Sequence, residues 1–126
     1  MKHCEAIVLP DTVRYLGKTA FAIDEALKYV YLGKSIETVE DDIFNGCSSL
    51  EEVTFPEGTK SIGTLVFWGT SSIKSITIPA SVTEITEYFY FVKNCNPDVE
   101  IHTPKGSKAE EVANSLGLKV SVLSKV

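Results

Sequence analysis

The sequence predicts a right-handed solenoid of four repeats, each about 23 residues long, with short parallel strands and a helix-containing C-terminal cap. Three observations predict it. Apolar residues recur at one fixed interval along the chain. Each unit carries a short alternating stretch ended by a chain breaker. The fourth unit breaks the interval and runs into the signature of a capped helix.

The interval is the primary signal. Pro10, Gly33, Pro56 and Pro79 stand 23 residues apart, as do Leu16, Val39, Ile62 and Ile85. Phe21, Phe44, Phe67 and Tyr90 form an aromatic column. Ile7, Val30, Val53 and Ile76 form another, and Leu9, Leu32, Phe55 and Ile78 another still. Leu27, Leu50 and Ile73 make a sixth column, which extends back to Cys4. A single unit of this size cannot bury its own apolar face. Stacked units bury each column between neighbours and build one continuous core.

Within a unit, Val53-Thr54-Phe55-Pro56 and Ile76-Thr77-Ile78-Pro79 alternate with period two and end at proline, which reads as a short strand. A turn and an apolar residue such as Ile62 follow. Next comes a compact segment holding Ala20-Phe21, Ile43-Phe44 or Val66-Phe67. It is too short for a long helix. We expect one turn of helix or 3₁₀, or a second short extended piece.

The fourth unit departs from the pattern. Tyr88-Phe89-Tyr90-Phe91-Val92-Lys93-Asn94-Cys95 runs into Asn96-Pro97-Asp98, and the strand beginning at Val99 falls 25 residues after its predecessor, two more than before. Ser107 and Glu110 then have the spacing of a capping box. Ala109, Val112, Ala113 and Leu116 share one helical face, Gly117 is placed to stop the helix, and Lys119 to Val122 can form a last strand. The chain therefore divides into four repeats over 4–99 and a strand-helix-strand cap over 100–126.

Leu50-x-x-Val53-x-Phe55-Pro56, continuing through Ile62-Gly63 to Val66-Phe67, resembles the BspA-like (Treponema-type) leucine-rich repeats. So does the Phe44-x-x-Cys47-x-x-Leu50 ending. Gly106-Ser107-x-Ala109-Glu110-x-x-Ala113 is similar to that family's usual terminus. The resemblance runs from Cys4 to about Val122 and implies a leucine-rich-repeat solenoid. It implies a bacterial cell-surface or secreted protein that binds host or cell-surface proteins in adhesion, with no catalytic residues in the repeat. Gly33 in place of proline, Thr59 among Val13, Ile36 and Val82, and Asp24 and Thr70 at the family's Cys position are expected to weaken individual layers.

Composition narrows the alternatives. A formal net charge of −5 without clustered Lys and Arg disfavours nucleic acid as a partner. No apolar run reaches the roughly 18–20 residues that span a bilayer, so membrane insertion is not expected. The first ten residues do not read as a signal peptide. The chain is either cytoplasmic or its leader lies upstream.

Enzyme chemistry finds little support. Cys4, Cys47 and Cys95 lack metal or redox spacing, and Cys47 and Cys95 stand two repeats apart, beyond the roughly 7 Å Cα limit for a disulfide. They are expected to be free, buried thiols that pack as small hydrophobes. His3 and His102 read as surface histidines. A cleft near 88–104 using Glu87, Glu100 or His102 would be the enzymatic alternative, but no acid/base pair, nucleophile motif or metal spacing accompanies it. No cofactor is expected.

The outward side of the strands is more informative. If Val30, Val53 and Ile76 point inward, their neighbours face out. One outward row is Val8, Tyr31, Thr54, Thr77 and His102, and the other is Ala6, Tyr29, Glu52, Ser75 and Glu100. The candidate protein-binding residues are Tyr29, Tyr31, Glu52, Thr54, Ser75, Thr77, Glu100 and His102. The two tyrosines lead the set because Tyr combines a large contact area with a polar tip. The alternative is that they simply decorate the sheet. Trp68 and Phe91 share a column and are expected to stack on each other, or else to mark a second partner surface. The strand from about Glu5 to Leu9 has no cap before it. A longer array, or a two-fold homodimer through this end, would cover that edge.

Overall fold

The computed structural model describes residues 5–86 and 94–123. Within them the short alternating stretches form β1 (Ala6–Val8), β3 (Tyr29–Tyr31), β5 (Glu52–Thr54), β7 (Ser75–Thr77) and β9 (Glu100–Pro104). These run parallel, in the order β1-β3-β5-β7-β9, with β10 (Lys119–Leu123) beside β9. The register is the sequence interval itself. Ile7 lies opposite Val30, Val30 opposite Val53, Val53 opposite Ile76, and Ile76 opposite Ile101 across the two-residue insertion.

A second parallel sheet closes the other side. It contains β2 (Tyr15–Leu16), β4 (Thr38–Val39), β6 (Ser61–Ile62) and β8 (Glu84–Ile85), in that order. The sequence marks these positions only as lone apolar residues after a turn. A two-residue strand offers one inward and one outward side chain, too few for alternation to register. The inward members Leu16, Val39, Ile62 and Ile85 are all buried.

The compact aromatic segment is neither helical nor extended. It is a chain of turns with two left-handed positions per repeat: Thr19, Asp42 and Leu65 at one, and Ile23, Gly46, Gly69 and Asn94 at the other. This geometry sends amides along the stacking axis. The Phe21 N–H donates to Ile43 O at 3.1 Å and the Phe44 N–H to Val66 O at 3.1 Å. One layer joins the next again where the Ile23 N–H donates to Asn45 O at 2.8 Å and the Gly46 N–H to Trp68 O at 2.8 Å. The turns thus satisfy backbone groups that a buried loop would otherwise leave orphaned.

The core is the set of columns. Phe44 is fully buried between Phe21 and Phe67, both with ring centroids 5.8 Å away and near-parallel planes, at 12° and 26°. Phe55 meets Phe67 edge-on at 6.1 Å. Tyr90 of the aromatic column and Cys4 of the leucine column lie outside the described residues. The expected weak points are hydrogen-bonded rather than empty. The buried Thr59 donates its hydroxyl to Ile36 O at 2.8 Å, and the buried Thr70 donates to Phe67 O at 2.6 Å. A buried hydroxyl that finds an acceptor avoids the desolvation penalty that would have weakened the layer.

The C-terminal helix α1 (Lys108–Ser115) begins at Ser107, whose hydroxyl accepts from the Glu110 N–H at 3.1 Å. Glu110 reaches back to the Gly106 N–H at 2.7 Å. The Ser107 hydroxyl also meets that of Thr103 at 2.7 Å, tying the helix start to β9. At the other end Gly117 adopts φ 72°. The Gly117 N–H bonds to Asn114 O, and the Leu118 N–H bonds to Ala113 O, the paired bonds of a Schellman stop. Ala109, Val112 and Ala113 are buried, so the helix lays its apolar face on the last layer.

Candidate binding face

Because β1, β3, β5, β7 and β9 are in parallel register, every outward side chain sits beside its equivalent in the next repeat. Tyr29 is flanked by Ala6 and Glu52, Glu52 by Ser75, and Ser75 by Glu100. In the second row Tyr31 is flanked by Val8 and Thr54, Thr54 by Thr77, and Thr77 by His102. Adjacent strands lie about 4.8 Å apart, so the two rows tile a continuous surface. Tyr29 and Tyr31 are 49% and 55% exposed and Val8 is 73% exposed. Together they form an apolar-aromatic zone at the β1–β3 end. Glu52 and Thr54 are exposed beside it, and Ser75, Thr77, Glu100 and His102 are half-buried beyond it.

At the far end the His102 imidazole Nε2 lies 3.2 Å from Glu100 Oε1. His102 is therefore a half-buried, carboxylate-paired histidine and not a free surface one. The pairing was available from the sequence, because residues two apart on a strand share a face. Ser75 and Thr77 are the register neighbours of this pair, and neither hydroxyl is hydrogen-bonded to the imidazole. Glu87 of the enzymatic alternative lies outside the described residues, as does His3.

Cys47 is buried, with its thiol 3.0 Å from Phe21 O. Cys95 is only half-buried. Both are free, and burial pushes each thiol up to about 11. A thiol held neutral is a poor nucleophile and metal ligand. Among the described residues no group of three or more His, Cys, Asp or Glu is placed to hold a metal ion.

Two concavities among the described residues are small and lined by charged side chains. One of about 290 Å³ is lined by Arg14, Lys34, Glu37, Glu57 and Lys60 among others. Another of about 150 Å³ is lined by Glu40, Asp41 and Glu84 with hydroxyl neighbours. Small-molecule sites are usually larger and mostly apolar, roughly 300–1,000 Å³.

Exposed apolar residues outside the candidate face include Tyr15, Ile23 and Trp68. Tyr15 and Ile23 do not emerge from the sequence columns because their equivalents are unlike them: Thr38, Ser61 and Glu84 at the outward strand position, and Gly46 and Gly69 at the turn. Trp68 is 37% exposed, and its expected partner Phe91 lies outside the described residues.

Residues 1–105 match the family model for the BspA type leucine-rich repeat region. The chain is similar in structure to a leucine-rich cell surface protein from Faecalibacterium prausnitzii A2-165, with TM-score 0.74 and 30% identity, covering 96% of this chain and 30% of that one. It is also similar to a leucine-rich repeat protein of T. pallidum, with TM-score 0.69 and 26% identity, covering 78% of this chain and 45% of that one. The chain thus spans less than half the length of either relative. Among curated proteins none matches it. No helix of the described residues is long and apolar enough to cross a membrane.

Proposed function

The chain belongs to the BspA-type leucine-rich repeat family, and on that premise we propose that it is a non-catalytic protein-binding module of a bacterial cell-surface or secreted, adhesin-like protein. It engages its partner on the outward face of the main sheet. The observation that carries this reading is the pair Tyr29 and Tyr31, half exposed on one strand with Val8 alongside. Two exposed tyrosines are large, rigid contacts that lose little side-chain entropy on binding. The relative from Faecalibacterium is described as a cell surface protein, which supports the location.

A direct test is capture from host extracellular matrix and from bacterial lysate, comparing wild type with Tyr31→Ala. Loss of a captured protein with an unchanged melting temperature supports the face. Equal capture by both proteins removes it.

A second reading, an intracellular scaffold or regulatory interaction domain, is favoured by the free thiols Cys47 and Cys95. Disulfides are common in secreted domains and rare in reducing compartments. In either setting, β1 pairs with β3 on one side, and no described strand pairs with its other edge. We infer that a second copy of the chain covers that edge. A homodimer would show as a concentration-dependent doubling of mass in light scattering.

A further inference from the structure

We propose that Tyr29, Tyr31 and Glu52 form a site for a cationic side chain of the protein partner, arginine above lysine. This rests on the reading that the outward sheet face is the binding surface. The geometry that points to it is local. Tyr29 and Glu52 are direct register neighbours on β3 and β5, and Tyr31 stands on the same face two residues along. Glu52 thus stands one strand spacing from Tyr29 and diagonally across from Tyr31, within reach of a long side chain that covers both rings.

Charge singles out Glu52. The face carries two acidic side chains, and Glu100 is already paired with His102. Glu52 has no cation within ion-pair distance among the described residues. Lys74, which leads into the next strand, is engaged by Glu51 at 3.7 Å, and Lys28 at the head of β3 forms no ion pair with Glu52. The whole chain carries −5. A guanidinium laid flat on a tyrosine ring keeps its edge free to bond a neighbouring carboxylate. The apolar stem of the arginine would pass over Val8 and the ring faces, which suits a long side chain whose charged head alone is polar. Thr54, the register neighbour of Tyr31, adds a hydroxyl at the same level.

The experiment is selection of a random linear peptide library on the whole chain, followed by affinity measurement of the selected peptides on wild type, Tyr31→Ala and Glu52→Gln. Both positions are exposed, so melting temperatures should match wild type. The site predicts peptides enriched in Arg or Lys beside an apolar residue. Their binding is lost in Tyr31→Ala, and Glu52→Gln weakens it about tenfold at low salt, the loss shrinking as salt rises. Peptides that need Tyr31 but carry no cationic enrichment, or that bind Glu52→Gln equally well, overturn this site and leave the binding face standing. Peptides indifferent to both substitutions, or no selected peptide at all, overturn the site and the face together.

Discussion

Replacing Phe44 by alanine strikes the aromatic column at its centre. Phe44 is fully buried, with one ring stacked on each side at 5.8 Å. Deleting a buried Phe side chain costs about 3–5 kcal/mol through lost transfer energy and the cavity left behind. Each aromatic pair adds about 0.5–1.5 kcal/mol beyond burial, although these contributions overlap. The neighbours cannot collapse into the gap. Phe44 and its counterparts are held by backbone hydrogen bonds from layer to layer, and the spacing of the layers is set by three hydrogen-bonded ladders. We therefore expect a loss near the top of the range, about 4–5 kcal/mol, a large share of the roughly 5–15 kcal/mol that holds a domain folded. Urea unfolding followed by circular dichroism reads it directly, provided the slope m matches wild type. A loss below about 1 kcal/mol would mean that Phe44 does not sit between two rings, and the repeat register would fail with it.

Other expectations follow from single sites. Ile23 is a β-branched residue at φ 63°, 71% exposed, where the later repeats carry Gly46 and Gly69. Ile23→Gly should raise stability by about 1 kcal/mol in urea titration by relieving left-handed strain. Thr59→Val restores the apolar residue of the other repeats but strips Ile36 O of its 2.8 Å partner. It should cost about 1 kcal/mol, and a neutral or stabilising result would show that the hydroxyl does nothing. The neutral thiols of Cys47 and Cys95 add a pH dependence. Their folded values near 11 lie above the ordinary 9.0, so on raising the pH the unfolded chain releases these protons first. Stability should fall from about pH 9 to 11, and a Cys47→Ala, Cys95→Ala protein should show a flatter profile over that window.

How much of this the sequence discloses depends on whether a feature repeats in side-chain chemistry. The columns through Val30, Val53 and Ile76, and through Phe21, Phe44 and Phe67, are visible because burial demands the same kind of residue at each layer. The outward rows follow, since Tyr29 and Tyr31 must face away if Val30 faces in. The cap was visible through Ser107, Glu110 and Gly117, whose types are set by helix-end geometry. The second sheet was not, because two-residue strands leave one inward residue per repeat. The left-handed turns were also hidden: one position holds Thr19, Asp42 and Leu65, three unlike residues, and at the other Gly46 and Gly69 are flanked by Ile23 and Asn94. Thr59 and Thr70 looked like defects because the carbonyls that receive their hydroxyls belong to backbone, which sequence does not display.

The central claim is that residues one interval apart touch in adjacent layers. A double-mutant cycle of Phe44→Leu and Phe67→Leu tests it most directly, with Phe21→Leu and Phe67→Leu as the two-layer control. Direct ring contact at 5.8 Å predicts a coupling of about 0.5–1.5 kcal/mol for the first pair, and additivity within about 0.5 kcal/mol for the second, whose rings are separated by Phe44. Additive losses in both cycles, or equal coupling in both, would contradict the stack.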